Sequence, residues 1–122
     1  MHLASVRIFV TDLPAAAKFY AEVVGLEQVC SSPEAVVFGR TPMVVIEAAD
    51  AEAHAEGLVA RFTGIAFATD DAAALYRELT GAGVPTHGAP ERQLWGGILL
   101  HAKDPSGNTI TFLQAPAKGS DP

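Results

Sequence analysis

Val6-Arg7-Ile8-Phe9-Val10-Thr11-Asp12, followed by an alanine-rich stretch to Gly25-Leu26, returns in pattern as Ile65-Ala66-Phe67-Ala68-Thr69-Asp70 followed by Ala72 to Gly83-Val84. Thr11 to Thr69 and Gly25 to Gly83 are both steps of 58 residues. Two copies of one strand-helix unit therefore fill the chain. A period this long with only two copies predicts a pseudo-twofold domain rather than a solenoid, which needs three or more repeats to bury its core. Function is expected between the copies.

Within the first copy, Val6, Ile8 and Val10 alternate with Ser5, Arg7 and Phe9, the period of a strand with one face on a core. Asp12 stands at an N-cap position with Pro14 in the first turn, and Leu13, Ala17, Tyr20 and Val24 follow at helical spacing before Gly25 ends the helix. Strands are expected at Leu26 to Val29, Ala35 to Gly39 and Met43 to Ala48. Ala49 to Arg61, acidic and alanine-rich but broken by Gly57, reads as a linker. The second copy repeats the plan. It has a strand at Gly64 to Thr69, a helix from about Asp71 to Thr80, and strands near Pro85-Thr86, Ile98 to Ala102 and Thr109 to Leu113. Asp104-Pro105-Ser106-Gly107-Asn108 is a tight turn before the last strand.

A length of 122 residues suits one domain that buries roughly two thirds of its unfolded surface. The expected organisation is a single domain over 1–122, with module one at about 4–48, a linker at 49–62, module two at about 63–114 and a frayed tail at 115–122. The net charge of −6 disfavours nucleic acid and anionic membrane, both of which are bound mainly through Lys and Arg, and suits a neutral or cationic small molecule. Cys30 stands alone, the first residues lack a signal-peptide pattern, and no apolar run reaches bilayer length. The expectation is a cytoplasmic protein.

The paired strand-helix-three-strand modules, the opening Val10-Thr11-Asp12-Leu13 with Phe19-Tyr20 and Gly25-Leu26, and the closing Trp95-Gly96 with Asp104-Pro105-Ser106-Gly107-Asn108 resemble the vicinal oxygen chelate superfamily. That superfamily takes in glyoxalase I, extradiol dioxygenases, epimerases, fosfomycin resistance enzymes and bleomycin resistance proteins. The resemblance runs from about Val6 to Gln114 and is nearest to the bleomycin-resistance-like members. It implies an α+β fold in which two βαβββ modules curve mixed sheets into a cup with helices outside, and it implies a homodimer.

In glyoxalase-like members of this family a divalent metal is held at positions that fall here on Ser5, Glu47, Gly64 and Thr111. Only Glu47 is a good ligand, because Ser, Gly and Thr do not replace His and Glu around a hard or borderline cation. No cofactor is therefore expected, the alternative being a divalent metal held by ligands at other positions.

Among the histidines, His2, His54 and His87 read as solvated, whereas His101 lies in the strand before the Asp104 turn and can face the cup beside Thr109 and Thr111. Glu47 either pairs internally with Arg7 or contacts a ligand, and the two are compatible. Trp95, followed by Gly96-Gly97 in a polar loop, can lie flat on a planar ligand, or it can plug a sheet rim or a dimer contact. Phe9, Phe38 and Phe62 can add apolar wall, although strand aromatics are usually core.

The expected ligand-contacting set is Trp95, Arg7, Glu47, Phe9, Phe38, Thr111 and His101, with Glu47 and His101 as the catalytic candidates. The leading reading is a metal-independent binding protein for a drug or an aromatic metabolite. The alternatives are a metal-dependent lyase or dioxygenase, a metal-free isomerase using Glu47 and His101, and a scaffold with a vestigial cup.

Overall fold

Alternation in the opening strand is what the backbone exploits. In the computed structural model, which describes residues 1–117, Ile8 and Val10 of β1 (Ser5–Val10) are buried, while Arg7 stays exposed and Phe9 half-buried on the other face. Asp12 accepts from the Ala15 amide at 3.1 Å and starts α1 (Leu13–Glu22), with Pro14 in its first turn. Gly25, at φ +83°, turns the chain out of the helix in the left-handed region that side chains avoid. Then come β2 (Gln28–Ser31), β3 (Ala35–Phe38), β4 (Met43–Ala48) and the short α2 (Ala51–Ala55), which forms inside the expected linker. The second copy follows as β5 (Phe62–Ala68), α3 (Ala72–Gly81), β6 (Glu91–Arg92), β7 (Ile98–Lys103) and β8 (Thr109–Gln114).

Each copy builds one mixed four-stranded sheet, in the order β1-β4-β3-β2 and β5-β8-β7-β6. In both, the first strand runs parallel to the last, and the remaining pairs are antiparallel. The internal repeat is therefore a repeat of topology. The sixth strand departs from the sequence reading. The sixth strand is Glu91–Arg92 rather than Pro85-Thr86, because Thr86 forms only an isolated bridge to Ala102 while the chain beyond it closes a hairpin onto β7. The cap of α3 is Asp71, which accepts from the Ala74 amide at 3.0 Å, where the sequence reading begins this helix.

The described chain groups into two compact units, residues 1–61 with 104–108, and residues 62–103 with the chain from Thr109 onward. Of the expected frayed tail, residues 118–122 lie outside the described residues. In the first unit Ile8, Val10, Val36, Phe38, Val44 and Ile46 bury one sheet face, and Ala16, Phe19 and Tyr20 of α1 are buried with them. Complete burial stabilises by about 1.5–3 kcal/mol for each large side chain. In the second unit Leu100, Ala102, Ile110 and Phe112 are the buried sheet residues, with Ala72 and Leu79 of α3.

The Asp104–Asn108 turn lies between β7 and β8 in sequence but belongs to the first unit. Tyr20 Oη donates to Asp104 Oδ2 at 2.8 Å, and Asp104 Oδ1 accepts the Ser106 and Asn108 amides, both at 2.9 Å. Asn108 Nδ2 donates to the Phe9 carbonyl at 2.8 Å, and its Oδ1 accepts the Ala60 amide at 2.8 Å. Asn108 is fully buried and Asp104 nearly so. Buried polar groups of this kind are tolerated because their hydrogen bonds are made. Burial, and then the adjacent Asp104 carboxylate, hold the Tyr20 phenol far above its ordinary value of 10.0.

Candidate functional site

Parity decides what the first unit offers on its free sheet face. Parallel pairing of β1 with β4 sets Phe9 opposite Glu47 and Arg7 opposite Val45, so Arg7, Phe9 and Glu47 share the face away from α1. Arg7 Nε donates to both Glu47 carboxylate oxygens at 3.1 Å, and its Nη2 approaches Oε2 at 2.9 Å. The guanidinium also lies over the Phe9 ring, 5.1 Å from its centroid. The Arg7 side chain is 60% exposed and that of Glu47 22%, so this is a rim ion pair rather than a buried one. It borders a pocket of about 340 Å³ that Phe9, Ala35 and Ala48 line together with Glu34, Glu47 and Asp50. Three carboxylates against one guanidinium leave that pocket acidic.

Phe38 does not join this wall. It sits on the opposite face of its strand, fully buried in the core, because residues one apart in a strand point to opposite sides. Its assignment to a ligand wall is corrected to packing.

In the second unit, antiparallel register sets His101 directly opposite Thr111, and His101 Nδ1 lies 2.9 Å from Thr111 Oγ1. That bond fixes the imidazole, with Nε2 unpartnered among the described residues. Phe62 meets the ring at a centroid distance of 5.8 Å, and His87 meets it at 5.9 Å with the planes tilted by 45°. His87, read from the sequence as an isolated surface residue, is brought here by its amide, which donates to the His101 carbonyl at 3.1 Å. The Thr86–Ala102 bridge is the cause, and only the pairing partner of Thr86 would have shown it. A cavity of about 150 Å³ lies against these two histidines, with Gly88, Glu91, Gln93 and Leu99 among its walls. Glu91 and Gln93 were missed because nothing in their sequence marks a two-residue strand.

Trp95 stands in the β6–β7 hairpin, which is closed by Gln93 N to Gly97 O at 2.8 Å and Gly96 N to Gln93 O at 2.9 Å. Its indole lies on Gly97, where any side chain would overlap the ring. Trp95 is 36% exposed, with Leu94 fully exposed beside it, and Trp95 does not line the His101 cavity.

Of the positions that the resemblance implies for a metal, Glu47 alone carries a carboxylate or an imidazole. Glu47 is engaged by Arg7, Gly64 has no side chain, and the Thr111 hydroxyl is bonded to His101. Ser5 adds only a neutral hydroxyl at the start of β1. Among the described residues no three His, Cys, Asp or Glu side chains cluster as ligands would. No helix among the described residues is long and apolar enough to cross a membrane.

The family model described as Glyoxalase/Bleomycin resistance protein/Dioxygenase superfamily matches residues 2–112. A member of that superfamily from Sphaerobacter thermophilus is similar in structure, with a TM-score of 0.77 and 26% identity over 94% of this chain and 98% of its own. TnmS3, an antibiotic binding protein from Streptomyces sp. CB03234, superposes with a TM-score of 0.72 at 25% identity, covering 93% of this chain and 95% of its own. A lactoylglutathione lyase from Agrobacterium tumefaciens shares the fold, with a TM-score of 0.71 at 21% identity over 97% and 96% of the two chains. No curated protein matches the sequence.

Proposed function

The chain belongs to the glyoxalase/bleomycin resistance protein/dioxygenase superfamily, and on that premise we propose that it is a metal-independent binding protein that sequesters a small molecule, a drug or an aromatic metabolite. One observation carries this reading. Glu47, the only good ligand at the family's metal positions, is held in a two-point ion pair with Arg7 on the rim of a pocket walled by Phe9. A carboxylate so engaged orients a ligand better than it holds a cation. The acidic lining adds a preference for positive charge, and the volume suits a small ligand bound through apolar area with a few placed polar groups. Similarity to an antibiotic binding protein is a further support. The homodimer that the resemblance implies and the cytoplasmic setting expected from the sequence are part of the same proposal.

A second reading, metal-free acid–base chemistry, rests on His101, whose ring is fixed through Nδ1 with Nε2 left to exchange a proton. The two are separated by incubating chelator-treated protein with a panel of bleomycin-type and polycyclic aromatic cationic antibiotics, then analysing retained and free ligand by mass spectrometry. Retention of one compound, unchanged and at protein stoichiometry, supports sequestration. A converted product, or retention that depends on added metal, overturns it.

A further inference from the structure

We propose that the cavity lined by His87 and His101 in the second unit is a binding site for a single planar nitrogen heterocycle with an exocyclic amine beside a ring nitrogen, the 2-aminopyridine class. This goes beyond the sequestration reading, which rests on the Arg7–Glu47 rim, and does not depend on it.

Size comes first. The cavity is about 150 Å³, the volume of a pocket that takes one benzene ring. Its walls suit a flat ring. The imidazoles of His87 and His101, 5.9 Å apart and tilted by 45°, form splayed jaws too close for a ring to be sandwiched between them. A ring can instead lie on one imidazole and meet the other edge-on, the geometry aromatic pairs prefer. Leu99 adds apolar surface, and Gly88, at φ +109° with open space where a side chain would stand, leaves the entrance clear.

Polarity then selects the ligand. Glu91 pairs across the hairpin with Leu99, which shares its sheet face with His101 two residues on, so the Glu91 carboxylate is presented on the cavity face. Gln93 donates through Nε2 to the Glu91 carbonyl at 3.0 Å, which leaves Oε1 to accept. A carboxylate and a carboxamide oxygen make the rim rich in acceptors, and the ligand must bring donors. A protonated 2-aminopyridine edge offers two parallel N–H groups and a positive charge, which match a carboxylate as a guanidinium does. Glu91 repels a ring bearing a carboxylate, and a bare hydrocarbon ring leaves both acceptors without partners.

The test is a titration of isotopically labelled full-length protein with 2-aminopyridine, followed through the His87 and His101 imidazole signals by NMR, with pyridine and benzoate as controls. The expected result is a saturable shift of both histidines with a dissociation constant of about 0.1–10 mM, the range open to so small a ligand. Glu91→Gln should weaken it at least tenfold, and benzoate should shift neither ring. Glu91 is exposed on a two-residue strand, and Gln93→Leu provides a second variant expected to weaken binding several-fold. No saturable shift, equal binding of pyridine and 2-aminopyridine, or affinity unchanged in both variants overturns the proposal.

Discussion

Tyr20 and Asp104, 84 residues apart in sequence, are joined by a buried 2.8 Å hydrogen bond that ties helix α1 to the turn before the last strand. Burial and the neighbouring carboxylate raise the Tyr20 pKa in the folded chain above the 10.0 of an ordinary phenol. The folded state thus keeps a proton that the unfolded chain gives up. The stabilisation is complete below pH 10 and is lost as pH rises beyond it, at about 1.4 kcal/mol per pH unit. Urea denaturation between pH 8 and 12 should show this fall. Tyr20→Phe should abolish the component and lower stability at neutral pH by about 1.5–3 kcal/mol, the value of a hydrogen bond to a charged group.

The Arg7–Glu47 pair should matter little for stability and much for binding. With Arg7 largely in water, breaking the pair should cost no more than about 1 kcal/mol. Glu47→Gln should therefore melt within a few degrees of the parent, while affinity for any compound retained in the antibiotic panel falls at least tenfold. A double-mutant cycle with Arg7→Gln, measured on binding and on stability, checks both halves.

Gly97 is needed for the packing of Trp95. Since a methyl group there would overlap the indole, Gly97→Ala should push the ring off its seat and into solvent. The chain has one tryptophan, so a red shift in fluorescence emission reports the displacement directly. The far-ultraviolet circular dichroism should stay unchanged.

Asn108 closes several bonds at once. Asn108→Ala removes the acceptor of the Ala60 amide and the donor to the Phe9 carbonyl, leaving both groups unpaired. The expected loss is about 3–5 kcal/mol, from two or more unsatisfied groups. Ala60 itself sits at φ +59°, where a non-glycine residue is strained. Ala60→Gly should raise the melting temperature slightly, a gain limited by the extra freedom of glycine in the unfolded chain. Differential scanning calorimetry of the two variants measures both effects.

Much of the fold was legible because it is carried by local periods. The alternation of β1, the caps at Asp12 and Asp71, and the glycines at 25 and 83 each state their own conformation, and their repetition gave the two-sheet plan. The Arg7–Glu47 pair was also foreseeable, since both residues end up on one face by strand parity alone. What could not be read depended on which residue pairs with which. Phe38 and Phe9 look alike in sequence, yet one faces α1 and the other the pocket. The sixth strand, and with it the approach of His87 and Glu91 to His101, follows from hairpin register that two residues cannot announce.

The turn at Asp104–Asn108 has a consequence for the order in which the molecule can be made. The first unit is encoded almost entirely by residues 1–61, but five residues that complete it come from 104–108. While the ribosome is still synthesising the middle of the chain, Asp104 and Asn108, which bond the Tyr20 hydroxyl and the Phe9 carbonyl, do not yet exist. The N-terminal half therefore waits, incompletely cross-braced, for most of the other half to emerge. Translation stalled before residue 104 should leave a protease-sensitive nascent chain that becomes resistant once the turn has cleared the exit tunnel.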